Sequence, residues 1–276
     1  MTHNLSCPII SNKQIGDSDY HLISILSKGI SRECKPGQFI MLGLKDDPGI
    51  FLRRPYSICG TWKTFEKSMR NSFHLLCKVV GKGSLALSKS KPGDEVTVLG
   101  PLGKPFNVES AGKRKNVRHL IVAGGIGSAS FPFLISTLNR LGADPVMFYG
   151  GRKRVDLPLK SWFRSHCASL HLSTEDGSEG TKGLITALFE KYQTDRPEET
   201  VVFACGPPGM LKKVAEISQE RGYSSYGSFE ERMACGFGVC LGCAIPVKDG
   251  RDGAAYRHVC KDGPVFSMDE IDFHRI

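Results

Sequence analysis

The stretch that decides the fold is "HLIVAGGIGSAS", residues 119–130, in which an apolar run leads into three closely spaced glycines. The run contains β-branched residues, which favour a buried strand, and the small residues after the glycines suit the start of a helix. In an open α/β sheet, ligands bind just outside the carboxyl ends of the strands. We therefore expect an α/β unit in which Gly124, Gly125 and Gly127 form a ligand-binding turn.

Strands and helices alternate downstream of this turn. The predicted strands lie near 119–123, 145–149, 168–173 and 200–204, and the predicted helices near 131–141, 157–165, 183–192 and 208–221. This alternation is typical of a parallel sheet covered by helices. The uncharged window 120–138 is long enough for a membrane span, but glycines and a proline interrupt it, so we expect no membrane insertion.

Short strands dominate upstream of residue 110. They are predicted at 21–27, 37–44, 53–59, 72–80 and 95–102. Two of them follow the same turn sequence, Lys35-Pro36-Gly37 and Lys91-Pro92-Gly93, in which proline presets the bend and glycine accepts positive φ. Several short strands at this spacing predict an antiparallel β-barrel.

The change of rhythm between the two regions marks a domain boundary. The basic, polar segment 107–118 is interpreted as a linker, and the predicted domains are 1–110, 111–225 and a short tail, 226–276. The chain has 276 residues and a net charge of +9, but no nucleic-acid-binding motif, so we expect no nucleic acid partner. The N-terminal residues show no export signal, which predicts a cytoplasmic protein.

Four cysteines are crowded into the tail. Three are spaced C-x4-C-x2-C and a fourth follows after sixteen intervening residues; they are Cys235, Cys240, Cys243 and Cys260. This is the plant-type ligand spacing for a 2Fe-2S cluster. Glycines between the cysteines would let the loop wrap a cluster closely. Structural zinc is the alternative, although zinc sites usually contain two C-x2-C pairs and only Cys240 and Cys243 form one here.

Two motifs in the barrel region suit a phosphate-bearing flavin. In the first, Arg54 could hold a phosphate, Tyr56 offers an aromatic face and Ser57 a hydroxyl group. In the second, a strand runs into a turn with Gly81 and Gly83 and then into a helix that starts near Ser84. Backbone N–H groups at such a helix start can cradle a pyrophosphate.

The α/β unit departs from the usual dinucleotide-binding fingerprint. An acidic residue is expected at the end of the second strand, but "MFYGGRKR", residues 147–154, carries arginine and lysine there. A later strand ends in Cys205-Gly206-Pro207, which places a thiol at the ligand edge of the sheet. The basic residues could bind a 2′-phosphate, whereas Glu175 and Asp176 would repel one, so the choice between NAD and NADP stays open.

Taken in order, the motifs resemble those of the ferredoxin–NADP reductase superfamily: Arg54 to Ser57, Gly81 to Ser84, Gly124 to Gly127 and Cys205 to Pro207. The tail, 228–247 with 258–266, resembles that of dihydroorotate dehydrogenase B electron transfer subunits. The resemblance covers nearly the whole chain. It implies a β plus α/β architecture with an FAD-binding β-barrel, a parallel-sheet NAD-binding domain and a 2Fe-2S tail.

The resemblance also implies roles for individual residues. The residues expected to contact FAD are Arg54, Pro55, Tyr56, Ser57, Leu76, Cys77, Lys78, Gly81, Gly83 and Ser84. Those expected to contact NAD are Gly124, Gly125, Gly127, Cys205, Gly206 and Pro207. The four tail cysteines are expected to ligate the cluster. Where the family often has a proline near the glycine turn, this chain has Ser130, for which we expect only a local change at the helix start.

The activity implied is electron transfer. A flavin can accept a hydride and release electrons singly, and therefore links NADH to an iron–sulfur cluster. The implied partner is an FMN-containing catalytic subunit that oxidises dihydroorotate in pyrimidine synthesis, in a heterotetramer with two copies of each chain. No general acid or base is expected in this chain. The alternatives are a subunit of a hydrogenase, of a sulfide dehydrogenase or of an NADH-dependent ferredoxin:NADP oxidoreductase, and a zinc-stapled nucleotide-binding module without redox activity.

Overall fold

A computed structural model describes residues 2–44, 50–108, 117–248 and 255–276 of the chain. Most of the predicted linker, residues 109–116, lies outside these ranges. The described residues form two seven-stranded sheets and one two-stranded sheet. In the part of the chain described, no helix is long and apolar enough to cross a membrane.

The first sheet is antiparallel throughout. Its strands are β1 (His3–Gln14), β2 (Tyr20–Leu26), β3 (Phe39–Leu44), β4 (Arg54–Ser57), β5 (Gly60–Thr61), β6 (Ser72–Lys78) and β7 (Glu95–Leu102), in the order β4-β3-β7-β1-β2-β6-β5. The sheet curls on itself, so that β4 at one edge approaches β6 near the other edge. At this point the Sγ of Cys77 on β6 lies 4.0 Å from the hydroxyl of Tyr56 on β4. The predicted antiparallel barrel is therefore confirmed. Two short helices, α1 (Lys28–Glu33) and α2 (Lys82–Ser88), accompany it.

All five strands predicted in this region are present, but β1 and the two-residue β5 were not predicted. Strand β1 is the longest strand, with 12 residues, and it changes partner along its length. His3–Pro8 pair with β7, whereas Ile9–Gln14 pair with β2 across an irregularity between Ile9 and Ser11. Such a bulge breaks the alternation of buried and exposed side chains, which is the signal that sequence patterns depend on.

The two Lys-Pro-Gly turns are confirmed. Gly37 has φ +91° and Gly93 has φ +99°, which is the left-handed region that glycine tolerates best. The amide of Gln38 donates to the carbonyl of Lys35 at 3.2 Å, and the amide of Asp94 donates to that of Lys91 at 3.0 Å. Each turn delivers the chain into a strand of the barrel.

The second sheet is parallel over six strands. These are β8 (Arg118–Gly124), β9 (Val146–Gly151), β10 (Ser169–Thr174), β11 (Thr181–Lys182), β12 (Thr200–Cys205) and β13 (Ser224–Ser228), in the order β11-β10-β9-β8-β12-β13. The helices between them are α3 (Phe131–Arg140), α4 (Lys160–His166), α5 (Ile185–Lys191) and α6 (Pro208–Glu220). The predicted strand and helix alternation is confirmed. A 3-10 segment, Gly125–Ser130, stands between β8 and α3, and we call it the glycine turn.

The tail is attached to both larger sheets. Strands β14 (Ala244–Val247) and β15 (Ala255–His258) form a hairpin, helix α7 (Val259–Asp262) follows, and β16 (Val265–Ser267) ends the sequence of strands. Strand β16 pairs with β13 and is the only antiparallel member that the described residues contribute to the second sheet. The amide of Lys104, just after β7 of the first sheet, bonds to the carbonyl of Gly263 at 2.5 Å. The tail is therefore integrated into the α/β unit.

Candidate functional site

The two barrel motifs meet at Arg54. A Cβ atom added to Gly83 would lie 2.7 Å from the Nε of Arg54, so the guanidinium group packs directly over the backbone of this glycine. A larger residue at position 83 would force the Arg54 side chain to move. The motif containing Arg54 and the turn before α2 therefore form one continuous surface, with a positive charge where a phosphate group would be neutralised.

The turn before α2 is shaped by Ser84. Its hydroxyl oxygen accepts hydrogen bonds from the amides of Val80, at 2.9 Å, and Gly81, at 3.1 Å. A Cβ atom on Gly81 would meet nothing within 4 Å, so the space in front of the turn is open. Ser84 thus holds the turn in shape, while the open face lies at Gly81.

The segment Leu76–Lys78 turns different groups to its two sides. The side chains of Leu76 and Cys77 are buried, so a cofactor running beside β6 would meet their backbone. The amine of Lys78 bonds to a carboxylate oxygen of Asp156 at 2.8 Å. Lys78 therefore connects the barrel to the segment that follows β9.

The two candidate NAD motifs are in contact with each other. A Cβ atom on Gly127 would collide with the carbonyl of Cys205, and one on Gly124 would lie 2.7 Å from the Cδ of Pro207. A Cβ atom on Gly206 would approach the Cα of Gly124 to 3.0 Å. Strands β8 and β12 are parallel neighbours, so their carboxyl ends bring both motifs to the same sheet edge. All these glycines are required for close approach.

Ser130 joins the barrel motif to the NAD motifs. Its hydroxyl donates to the Oγ of Ser57 at 3.3 Å and also lies 3.7 Å from the Sγ of Cys205. Burial, followed by the charge of Glu230, raises the pKa of the Cys205 thiol to about 12, so this sulfur is a neutral group. The hydroxyl groups of Ser57 and Ser130 and the thiol of Cys205 therefore line the junction between the two sheets.

Glu230 lies beside this junction. Its side chain keeps accessible surface, yet enough protein surrounds the carboxyl group that burial raises its pKa. The two observations agree when the carboxyl group stands in an open cleft, since a group on a convex surface would stay fully hydrated.

The tail hairpin brings the cysteines together. The amide of Val259 donates to the carbonyl of Cys243 at 2.9 Å. This bond brings Cys260, the next residue, close to Cys243 although they are far apart in the sequence. The amide of Cys260 then points at the Sγ of Cys243, 3.4 Å away. The amides of Val239 and Cys240 approach the Sγ of Cys235 at the same distance. Backbone N–H groups directed at sulfur are the surroundings that iron–sulfur clusters use.

The thiols differ in acidity. Burial acts to raise the pKa of Cys235, but the backbone N–H groups of Cys240, Phe237 and Val239 outweigh it and lower that pKa to about 6. Burial and the neighbouring Cys243 raise the pKa of Cys260 to about 12. A bound metal requires all the thiols to be deprotonated, and the loop around Cys235 already favours the thiolate.

The cysteine loop, residues 235–243, packs against the barrel at Gly236. This glycine has φ +80°, and a Cβ atom on it would approach the Sδ of Met41 to 2.8 Å. Met41 on β3 is the cross-strand partner of Pro55 on β4. The loop that carries the candidate metal ligands is therefore one residue pair away from the candidate flavin motif.

The outer face of the same loop is exposed and apolar. Phe237 is 52% exposed, Val239 70% and Leu241 58%, and Cys240 between them is exposed as well.

Within the described residues, no three His, Cys, Asp or Glu side chains converge on a point that could hold a single metal ion.

The basic residues after β9 are partly engaged. Arg154 and Lys160 both bond to Glu179, at 3.1 and 2.6 Å, while Arg152 and Lys153 have exposed side chains. Asp176 accepts hydrogen bonds from the amide and hydroxyl of Ser178, and these bonds lower the pKa of its carboxyl group.

Comparison with known proteins gives consistent relatives. The family model for the iron-sulfur cluster binding domain of dihydroorotate dehydrogenase B matches residues 230–272. The dihydroorotate dehydrogenase B (NAD(+)) electron transfer subunit homolog of Aquifex aeolicus is 34% identical over 272 residues, which cover 98% of this chain and 99% of that protein. The dihydroorotate dehydrogenase B (NAD(+)) electron transfer subunit of Clostridium acetobutylicum is 40% identical over 240 residues, 87% of each chain.

A solved structure shows the same fold. The NADH-dependent reduced ferredoxin-NADP oxidoreductase, studied for flavin-based electron bifurcation, superposes with a TM-score of 0.79 and 28% identity. The match covers 98% of this chain and 90% of that one, which confirms the predicted ferredoxin-reductase-like fold. With relatives of this identity over nearly its full length, the chain belongs to the family of dihydroorotate dehydrogenase B electron transfer subunits.

Proposed function

We propose that this chain carries electrons between NAD and a dihydroorotate-oxidising catalytic subunit, using FAD on the barrel and a 2Fe-2S cluster on the tail cysteines. The observation that carries the proposal is the junction at Ser130, whose hydroxyl contacts Ser57 of the flavin motif and Cys205 of a nucleotide motif. The partner is proposed to contain FMN and to form a heterotetramer with two copies of this chain, in the cytoplasm.

The residues have separate tasks in this proposal. Arg54 and the turn of Gly81 to Ser84 bind the flavin phosphates, and Tyr56 and Ser57 lie against the ring system. Gly124 to Gly127 and Cys205 to Pro207 hold the nicotinamide nucleotide. The bound flavin supplies the conversion between hydride transfer and single electron transfer. We propose residues 1–110, 111–225 and 226–276 as the FAD, NAD and cluster domains, with the last two sharing one sheet.

The arrangement of the cysteines favours an iron–sulfur cluster over zinc. A structural zinc site needs four ligands around one ion. The C-x4-C-x2-C spacing with a distant fourth cysteine is the plant-type spacing for a 2Fe-2S cluster. The backbone N–H groups directed at the sulfur atoms of Cys235 and Cys243 suit cluster ligands.

A second candidate is a subunit of an NADH-dependent ferredoxin:NADP oxidoreductase. The superposition at TM-score 0.79 over nearly the full chain favours it. The two candidates differ in the partner rather than in this chain's cofactors. Identification of the partner protein therefore distinguishes the two candidates.

The cluster is tested by Cys240→Ser. We expect this variant to keep its FAD and to be reduced by NADH at the normal rate, while electron delivery to the partner stops, because the flavin and the cluster are held by different residues. Cys167→Ser, which changes a half-buried cysteine outside the tail, serves as the control. Normal delivery by Cys240→Ser would show that the cluster is not on the electron path, and zinc in an anaerobically purified, colourless protein would refute the cluster altogether.

The flavin site is tested by Arg54→Ala, with Arg53→Ala as the matched control. The side chain of Arg53 bonds to Asn4 at 2.9 Å and not to the Gly83 turn. We expect only Arg54→Ala to lose FAD on gel filtration, since it removes the charge that neutralises the phosphates.

The partner is tested by copurification from the native cell. A dihydroorotate-oxidising subunit is expected to copurify with this chain. A hydrogenase or a ferredoxin-dependent partner would replace the first candidate by another.

A further inference from the structure

A buried polar contact links the barrel to the segment after β9. Lys78 at the end of β6 and Asp156 form an ion pair at 2.8 Å, with side chains that are 31% and 11% exposed. The hydroxyl of Tyr20 on β2 donates to the same carboxylate oxygen at 3.2 Å. The Lys78 amine also lies 5.0 Å from the centre of the Tyr20 ring. We call these three residues the bridge.

The bridge is connected to the glycine turn through Tyr149. The hydroxyl of this fully buried residue on β9 lies 3.4 Å from the carbonyl of Asp156 and 3.1 Å from that of Pro158. It also lies 2.9 Å from the hydroxyl of Ser128 and 3.4 Å from the carbonyl of Gly125. Both of the latter residues belong to the glycine turn. The backbone that carries Asp156 and the turn are thus held by one phenol group.

Apolar packing surrounds the same contact. Tyr20, Leu76 and Cys59 of the barrel form one buried cluster with Ala129 of the glycine turn, and Ile126 packs against it. The turn therefore rests directly on β6, whose end carries Lys78. Apolar contacts resist separation of the two surfaces but are not directional, whereas a charge-assisted hydrogen bond fixes distance and orientation.

We propose that Asp156, held by Lys78 and Tyr20, is a positioning residue that sets how the glycine turn stands against β6. It thereby sets how a nicotinamide bound at the turn meets a flavin bound on the barrel. The inference rests on the proposed function. In the step concerned, a hydride leaves NADH with both electrons of its C–H bond, NAD+ is released and the flavin accepts the hydride, so no further reactant is needed.

The local electrostatics agree with this assignment. Burial acts to raise the pKa of Asp156, but the hydrogen bond and charge of Lys78, with the hydrogen bond of Tyr20, outweigh it and hold that pKa below its usual value. The pKa of Lys78 is raised by the same pairing, against the effect of its own burial. The pair stays charged throughout the neutral range.

The test is Asp156→Asn, which keeps the shape of the side chain and removes its charge. In the full chain loaded with FAD and cluster, we expect the rate of flavin reduction at saturating NADH to fall about tenfold or more, since displacements near 1 Å have effects of that order. We expect the long-wavelength charge-transfer absorption, formed when NADH stacks on oxidised flavin, to weaken. The dissociation constant for NAD+ and the flavin content should stay within about twofold of the original.

The matched control is Glu190→Gln. It removes an ion pair of the same length, 2.8 Å to Lys213, that lies within the α/β unit and is exposed. We expect it to leave the rate and the absorption band unchanged. A merely structural role for Asp156 would lower thermal stability without changing the charge-transfer band, and that result would overturn the inference.

The pairing is tested by a double-mutant cycle. If Lys78 and Asp156 act as one unit, Lys78→Met combined with Asp156→Asn should be no slower than Asp156→Asn alone. Additive effects would overturn the inference.

Tyr20→Phe, which removes a single hydroxyl, provides a milder variant should Asp156→Asn fail to fold. If the flavin of Tyr20→Phe is reduced as fast as that of the unaltered chain, the result counts against the bridge. If the unaltered chain is not reduced by NADH, the proposed function fails instead.

Discussion

Two histidines are buried with unsatisfied ring nitrogens. His74 on β6 bonds to the hydroxyl of Ser24 at 2.9 Å through Nδ1, but its Nε2 has no partner among the described residues. His119 on β8 has no partner there for either ring nitrogen and stacks parallel to Phe203. Burial lowers the pKa of each to about 4, so both are neutral in the folded chain.

These histidines predict a loss of stability in mild acid. The unfolded chain binds a proton at each histidine below pH 6.5, whereas the folded chain stays neutral there until about pH 4. The free energy of unfolding should therefore fall between these values as pH falls, by about 1.4 kcal/mol per pH unit for each histidine once the pH is well below 6.5. Urea unfolding with excess FAD at pH 7, 6 and 5 measures it.

The contribution of His119 is isolated by His119→Phe, which preserves a ring against Phe203. Between pH 6 and 5 this variant should lose the part of the slope that one histidine contributes, at most about 1.4 kcal/mol per pH unit, because one proton fewer is taken up on unfolding. An unchanged slope would show that His119 is already protonated in the folded chain. Carboxyl groups titrate equally in both proteins and cancel in the comparison.

At the scale of elements, the cysteine loop depends on its glycines for different reasons. Gly236 has positive φ and presses on Met41, while Gly238 has φ +88° and lies against the side chain of Lys261. Gly242 has neither constraint, since its nearest neighbour would be the Sγ of Cys240 at 3.7 Å. The close approach of the loop to the barrel at Gly236 therefore depends on the missing side chain there.

Gly236→Ala should disturb cluster binding and leave the flavin in place. The added methyl group meets Met41 in a backbone conformation that alanine adopts poorly, so the loop must move off the barrel. We expect a lower content of iron and acid-labile sulfide and slower electron transfer from flavin to cluster. Gly242→Ala is the control in the same loop and should retain both. Full iron content with an unchanged transfer rate in Gly236→Ala would contradict the role of this contact.

At the scale of the whole molecule, the tail ties the structure together. Strand β16 closes the edge of the second sheet beside β13, and the amide of Lys104 in the barrel bonds to the carbonyl of Gly263. A Cβ atom on Gly37 of the barrel would also lie 2.9 Å from the Cγ2 of Val265. The cluster region is therefore anchored to both larger sheets by residues that follow the last cysteine.

Truncation after Asp262 tests this anchoring. It keeps all four cysteines but removes β16, so we expect loss of the cluster and faster proteolysis between the barrel and the α/β unit. Truncation after Phe273 removes only three terminal residues and should change little. Measurement of iron content and of limited proteolysis patterns distinguishes them. If the chain truncated after Asp262 retains the full cluster, the hairpin and α7 suffice to hold it.

Much of the architecture could be predicted because its signals are local. The Lys-Pro-Gly turns, the apolar strands and the strand that runs into Gly124 each depend on neighbouring residues in the chain. The same holds for the spacing of Cys235, Cys240 and Cys243, which places three thiols in one loop. Strand β1 escaped prediction, because its pattern changes where it exchanges one partner strand for another.

The sequence by itself therefore determined the class of the fold, the order of the motifs and the types of ligand that each motif suits. Only the tertiary structure decided which motifs meet. Ser130 between Ser57 and Cys205, Gly236 against Met41, and Asp156 between Lys78 and Tyr20 are contacts between residues more than 70 positions apart. No periodicity encodes such pairs, because they depend on how two sheets pack together, and packing is settled by the whole chain at once.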